Sequence, residues 1–122
     1  MALNVPVLGG SQLERGFDAF WSLMPDAPAL KAEVRFAPPR RFRFDRCHRA
    51  SRVAVELEGG VWSGGRHTRG KGFTDDCTKY NLAASLGWLV FRFTGGMLDR
   101  DPVGCLTPVV DAIRERDGTW PA

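Results

Sequence analysis

The 122-residue sequence is 43% hydrophobic and 25% charged, the balance of a soluble globular protein, and its length suits a single domain over residues 1–122 without a second one. No apolar run approaches a membrane span, Met1 to Gly10 lacks the basic start and apolar centre of a signal peptide, and Cys47, Cys77 and Cys105 form no C-x-x-C pair. The expectation is a cytoplasmic protein with free thiols and no membrane partner, in the host cytoplasm if the chain is phage-encoded.

A formal charge of +3 does not by itself imply nucleic acid, but its distribution is uneven. Nine of the 17 Lys and Arg (Arg40, Arg41, Arg43, Arg46, Arg49, Arg52, Arg66, Arg69 and Lys71) fall in one 32-residue window, while the last quarter leans acidic. Cations ringing an acidic centre suit a polyanion that must meet a metal.

Met1 to Gly10, with Pro6 and the Gly9-Gly10 pair, reads as a loose lead-in. A helix begins at Ser11: Ser11 and Glu14 have capping-box spacing, and Leu13, Phe17, Phe20, Trp21 and Met24 recur at helical spacing until Pro25. Leu30 to Ala37 alternates through Ala32, Val34 and Phe36 as a first strand, ended by Pro38 and Pro39. Arg41 to Asp45 is predicted as a second strand and Val53 to Glu58 as a third, joined by an Arg-rich turn through Arg46 to Arg52. Gly59 to Gly72 holds six glycines with Arg66, His67, Arg69 and Lys71 among them, as a flexible loop approaching phosphates would.

Thr74 is predicted to cap a second helix that runs through Leu86 and stops at Gly87, with Asp75 and Asp76 at its positive end. Trp88 to Phe93 is rich in β-formers and reads as a fourth strand. Met97 to Leu106 reads as irregular, and Thr107 or Pro108 as the start of a last helix to about Arg116. The order helix-strand-strand-strand-helix-strand-helix implies an α/β fold, a mixed central sheet flanked by helices, with a right-handed crossover from the third strand to the fourth.

Strand alternation puts Val53, Val55 and Leu57 on one face of the third strand and Ala54, Glu56 and Glu58 on the other. On the second strand Phe42 and Phe44 take one face and Arg41, Arg43 and Asp45 the opposite one, so the hairpin can bring Asp45 beside Glu56. Two carboxylates about 4 Å apart repel by roughly 4 kcal/mol at an effective dielectric of 20, and three such groups ask for a compensating cation.

The Asp on one strand, the Glu56-Leu57-Glu58 triplet on the next and this order of elements resemble the PD-(D/E)XK nuclease superfamily. More narrowly, RFDR, then VAVELEGGVWSGGRHTRGKGF, then DDCTKYNLAASLGWLVFRFT look like small stand-alone phage and bacterial endonucleases related to very-short-patch-repair endonucleases and Holliday junction resolvases. The resemblance covers about Ser11 to Leu98. It implies a restriction-endonuclease-like core and divalent-metal-dependent DNA cleavage in repair or recombination. It further implies that Asp45 and Glu56 are metal ligands with the Leu57 carbonyl as a third contact.

Two departures stand out. Phe44 precedes Asp45 where the superfamily name has proline, and Glu58 occupies the place of the usual catalytic lysine. Either Glu58 is a further ligand or base, or the lysine's work has moved to Lys79 on the following helix; the alternative for Lys79 is pairing with Asp75 or Asp76. The expected ion is Mg²⁺ or Mn²⁺, since oxygen ligands beside phosphates favour hard cations.

His67 could serve as a general acid or base, or as a phosphate, base or loop contact. Arg43, Arg66, Arg69 and Lys71 are candidate DNA contacts, with Trp62 placed to stack on a base. Glu14 is a candidate accessory acid, although its capping-box spacing already accounts for it; Tyr80, Trp88, Phe91 and Phe93 read as core. Two other readings stay open: a non-catalytic DNA-binding module of the same fold, and a zinc-stabilised protein using Cys47, His48, His67 and Cys77. A homodimer with two cleavage centres would suit branched DNA, and the sequence shows no interface for one.

Overall fold

The computed structural model describes residues 11–59 and 70–117. Helix α1 (Gln12–Ser22) starts on the expected capping box: the Ser11 hydroxyl accepts the Glu14 N–H at 3.1 Å, and the Glu14 carboxylate accepts the Ser11 N–H at 3.2 Å. Its apolar stripe buries Phe17 and Trp21, and the Trp21 indole donates to the Pro28 carbonyl at 2.8 Å. There follow β1 (Lys31–Arg35), β2 (Arg43–His48), β3 (Val53–Glu58), α2 (Gly70–Ser85), β4 (Leu89–Thr94), α3 (Gly95–Arg100) and α4 (Pro102–Arg116).

The four strands form one sheet in the order β1-β2-β3-β4. The β1–β2 and β2–β3 pairs are antiparallel and β3–β4 is parallel, with α2 carrying the chain across. The topology follows from the connections, since a short turn can only reverse the chain whereas a parallel partner needs a long crossover. Val53 and Val55 pack with Phe17 and Trp21 of α1 and with Leu106, Val109, Val110 and Ile113 of α4. Ala54 points the other way, into a second core with Phe44, Cys47 and Ala83 of α2. The chain is thus α/β, a mixed four-stranded sheet with helices on both faces. Among the described residues no helix is long and apolar enough to cross a membrane.

Three boundaries differ from expectation by more than two residues. Strand β2 does not stop at Asp45 but continues to His48, so Arg46 belongs to the strand and is buried. Helix α2 starts at Gly70, so Thr74 is not its cap and Gly70 to Gly72 are not loop; the added first turn carries an i,i+4 bond from Lys71 to Asp75 at 2.8 Å. Its end is as expected: Gly87 takes φ +83°, and the Trp88 N–H closes on the Ala83 carbonyl at 3.0 Å.

The third difference is the stretch expected to be irregular, which holds α3 and the first turn of α4. The Asp101 carboxylate accepts the Gly104 N–H at 3.0 Å and Pro102 occupies the first turn, so the Asp-Pro pair starts the helix and Pro108 lies inside it. A Cβ on Gly104 would come 2.1 Å from the Asp101 carboxylate, which is why the cap needs glycine there.

Candidate active site

The β2–β3 pairing includes Arg46 opposite Val55, and one step further in the same register Asp45 stands opposite Glu56. There side chains take up the backbone donors. Glu56 Oε2 accepts the Asp45 N–H at 2.8 Å, and Asp45 Oδ2 accepts the Leu57 N–H at 2.8 Å. The two acids are neighbours, as expected, and Leu57, expected to offer its carbonyl, gives its N–H to Asp45.

The expected alternation on β2 fails at this point. The Phe44 ring lies 5.8 Å from the Lys79 ammonium on the α2 face, yet Arg46, two residues on, reaches Glu14 and Asp18 of α1 on the other face. Strict alternation would put both on one face. The strand therefore turns over once at Asp45, and Phe44 shares the α2 face with Ala54 rather than the opposite one. On β1, between the pairs Ala32–Arg46 and Val34–Phe44, Glu33 takes φ +54°, a conformation that costs a non-glycine residue about 1–2 kcal/mol.

This kink gathers acids. One carboxylate oxygen each from Glu14, Glu33 and Asp45 lie within 4.8 Å of one another. Part of their repulsion is offset by the buried Arg46, which donates to Glu14 at 2.9 Å and to both Asp18 oxygens at 2.9 and 2.8 Å. The Asp18 hydrogen bonds, opposed by burial and aided by Glu14, hold the Arg46 guanidinium more firmly protonated than usual. Burial pushes the Glu14 carboxyl up, but the Ser11 N–H and Arg46 together outweigh it and leave Glu14 below the ordinary range. An all-carboxylate donor set fits Mg²⁺ or Mn²⁺, which prefer hard oxygen ligands.

Glu56 is only 4% exposed. Its second oxygen receives the Lys79 ammonium and, at 3.1 Å, the Tyr80 hydroxyl. Burial raises the Glu56 carboxyl, and the attraction of Lys79 and the Asp45 N–H only partly reverses this, so it ends above the ordinary range. Burial, and then the Glu56 and Glu58 charges, also raise the Tyr80 phenol. Lys79 therefore does not pair along its helix, where Lys71 holds Asp75; it crosses to β3.

Glu58 is bonded instead by Arg92, whose Nε lies 3.1 Å from it. Arg92 sits beside Glu56 in the parallel β3–β4 register, its guanidinium 4.3 Å above the Tyr80 ring. Arg43 is exposed at the start of β2, and Lys71 is exposed on α2. Trp62, Arg66, His67 and Arg69 lie outside the described residues.

Sequence reasoning missed Glu33, Arg46, Tyr80 and Arg92. Glu33 sits between apolar residues on a strand whose alternation gives no hint of the kink. Arg46 reads as part of a turn, and Tyr80 as core although it adjoins Lys79. Arg92 could have been found from the parallel register opposite Glu56.

Among the described residues Cys47, His48 and Cys77, three of the four expected zinc ligands, do not gather; His67 lies outside the described residues. Cys47 is buried, with burial pushing its thiol up to about 11, Cys77 is exposed, and His48 Nδ1 meets the Ser51 hydroxyl at 2.8 Å. Among the described residues Glu14, Glu33 and Asp45 form the one gathering of three metal-capable side chains. Compared with known proteins, the chain matches no family model, no curated protein and no solved structure.

Proposed function

We propose that the protein is a divalent-metal-dependent DNA endonuclease with a restriction-endonuclease-like core, hydrolysing phosphodiester bonds as the resemblance to the PD-(D/E)XK superfamily implies. The observation that carries this reading is the interlocked pair at the kink: the Glu56 carboxylate accepts the Asp45 N–H and the Asp45 carboxylate accepts the Leu57 N–H, both at 2.8 Å, while α2 delivers Lys79 to Glu56. Asp45, with Glu14 and Glu33 beside it, would hold Mg²⁺ or Mn²⁺, and Glu56 completes the acidic wall. The ion, when bound, acidifies water and relieves charge on the phosphate oxygens.

The chain's own residues set the rest. Lys79, held by Glu56, supplies the cation that the superfamily usually places at the Glu58 position; Glu58, bonded to Arg92, serves as that arginine's partner. The buried Glu56 carboxylate fixes the Asp45 backbone and so the direction of the Asp45 side chain. Selectivity for a Holliday junction or other branched DNA, and a homodimer to cut it twice, belong to the same proposal.

One observation favours the alternative of a non-catalytic DNA-binding module: both Glu56 oxygens already accept bonds from protein donors. Incubating purified protein with a four-way junction, linear duplex and single strands, with and without Mg²⁺ or Mn²⁺, separates the two. Metal-dependent scission that disappears in Glu56→Ala while DNA binding persists is the expected result. Absence of scission on every substrate with either ion leaves the binding module.

A further inference from the structure

We infer that the β1–β2 hairpin is an anchor that grips the phosphate backbone of duplex DNA beside the cleaved bond; this rests on the proposed DNA substrate. Residues 35–43, RFAPPRRFR, contain four arginines and no acid. Arg35, Arg40, Arg41 and Arg43 are all exposed, and among the described residues none of them has a carboxylate within ion-pair distance. Arg35 and Arg43 stand directly opposite one another across the strand pair, an arrangement of like charges that destabilises a sheet unless an anion lies over it.

The hairpin presents this charge on a firm base. Phe36 is buried and stacks on Phe44 with ring centroids 4.0 Å apart, so the connection is tied to the core beneath α2. The Arg35 guanidinium donates to the carbonyls of Pro39 and Arg40 at 3.2 and 3.4 Å, closing the turn, and Arg40 lies 4.9 Å over the Phe42 ring.

The reach also fits. At about 3.3 Å per residue, Arg43 lies roughly 7 Å from Asp45 and Arg40 at most roughly 17 Å from it. Phosphates of one duplex strand rise about 3.4 Å each along the axis on a helical path, so a row of this length meets only a few of them outward from the acidic kink, in keeping with its few arginines.

The test is the salt dependence of binding to a labelled linear duplex in EDTA, where no cleavage intervenes. An Arg40/Arg41/Arg43→Ala variant should lose about 0.9 of log–log slope for each phosphate contact removed, two to three in all, whereas Arg40/Arg41/Arg43→Lys keeps most of the slope and shows that the fold is intact. An Arg100/Arg114→Ala variant on α3 and α4 should keep the wild-type slope. If the alanine variant binds with the wild-type slope, or if the wild-type protein does not bind duplex at all, the hairpin is not the anchor. A wild-type protein that binds with this slope but cuts no DNA removes the nuclease reading and leaves the anchor standing.

Discussion

Asp45 and Glu56 are locked to each other through the backbone: each carboxylate accepts the main-chain N–H of the facing segment, Glu56 from Asp45 and Asp45 from Leu57, both at 2.8 Å. A sheet ladder ends here and two side chains continue it. Side-chain acceptors let the strands part without orphaning buried donors, whose loss would cost about 1–3 kcal/mol each. The parting leaves space at the kink for Glu33 and Glu14 to approach Asp45.

The two glutamates flanking Asp45 should respond to pH with opposite sign. Glu56 is raised in the folded state, chiefly by burial, so its contribution to stability is full below the ordinary glutamate range and is lost as pH rises through its elevated value. Glu14 is lowered, because the Ser11 N–H and Arg46 outweigh burial; its contribution is present above the ordinary range and is lost as pH falls through its depressed value. Urea denaturation of wild type, Glu56→Gln and Glu14→Gln in metal-free buffer between about pH 3 and pH 7 checks this. The wild-type advantage over Glu56→Gln should shrink with rising pH, and that over Glu14→Gln should grow. Parallel trends would contradict the assignment of burial as the stronger influence at Glu56.

Lys79 and Glu58 are separable by substitution. Lys79→Met strands the buried Glu56 carboxylate and should destabilise the fold by about 3 kcal/mol as well as abolish metal-dependent cleavage. Glu58→Gln breaks a half-exposed pair with Arg92, which should cost less than about 1 kcal/mol and leave cleavage within a few-fold of wild type. Unfolding curves and single-turnover cleavage on the same preparations read both effects. Cleavage lost in Glu58→Gln but retained in Lys79→Met would assign the lysine's place the other way round.

What was legible in the sequence was whatever a local rule decides. The Ser11–Glu14 spacing marks the start of α1, apolar alternation bounds β3, and a short turn sets the antiparallel register that puts Asp45 against Glu56. The acidic gathering was not legible, because it depends on one break in alternation. Phe44 and Arg46 go to opposite faces, and the positive φ at Glu33 lies on a strand whose composition reads as regular. Glu14 carried a sufficient local explanation in its cap, which hid its second bond to Arg46.

The three cysteines should label in a fixed order. Cys77 is exposed on α2, Cys105 is partly buried with its thiol raised by burial and by the Asp101 charge, and Cys47 is fully buried with its thiol pushed up to about 11 by burial. With an aromatic disulfide reagent at about pH 8, Cys77 should react fast, Cys105 slowly, and Cys47 only after denaturant is added. Mass spectrometry of the partly labelled protein identifies the sites. Early modification of Cys47 would mean that the core between β2 and α2 is not closed.

Arg46 is the protein's own counter-ion for the acidic kink, and its removal should make a divalent cation matter more. The guanidinium is buried and holds Glu14 at 2.9 Å and Asp18 at 2.8 Å, so Arg46→Met leaves Glu14 facing Glu33 and Asp45 without compensation. Breaking a buried pair by removing one partner costs about 3–5 kcal/mol; because Asp18 is 40% exposed and can turn to water, the loss here should fall at or below the lower end. A divalent ion bound among the three carboxylates would return part of that stability in proportion to its occupancy. Thermal unfolding of wild type and Arg46→Met in EDTA and in Mg²⁺ should therefore show a larger Mg²⁺-dependent rise in Tm for the variant. Equal rises in the two proteins, or none in either, would mean that Glu14, Glu33 and Asp45 do not share a cation.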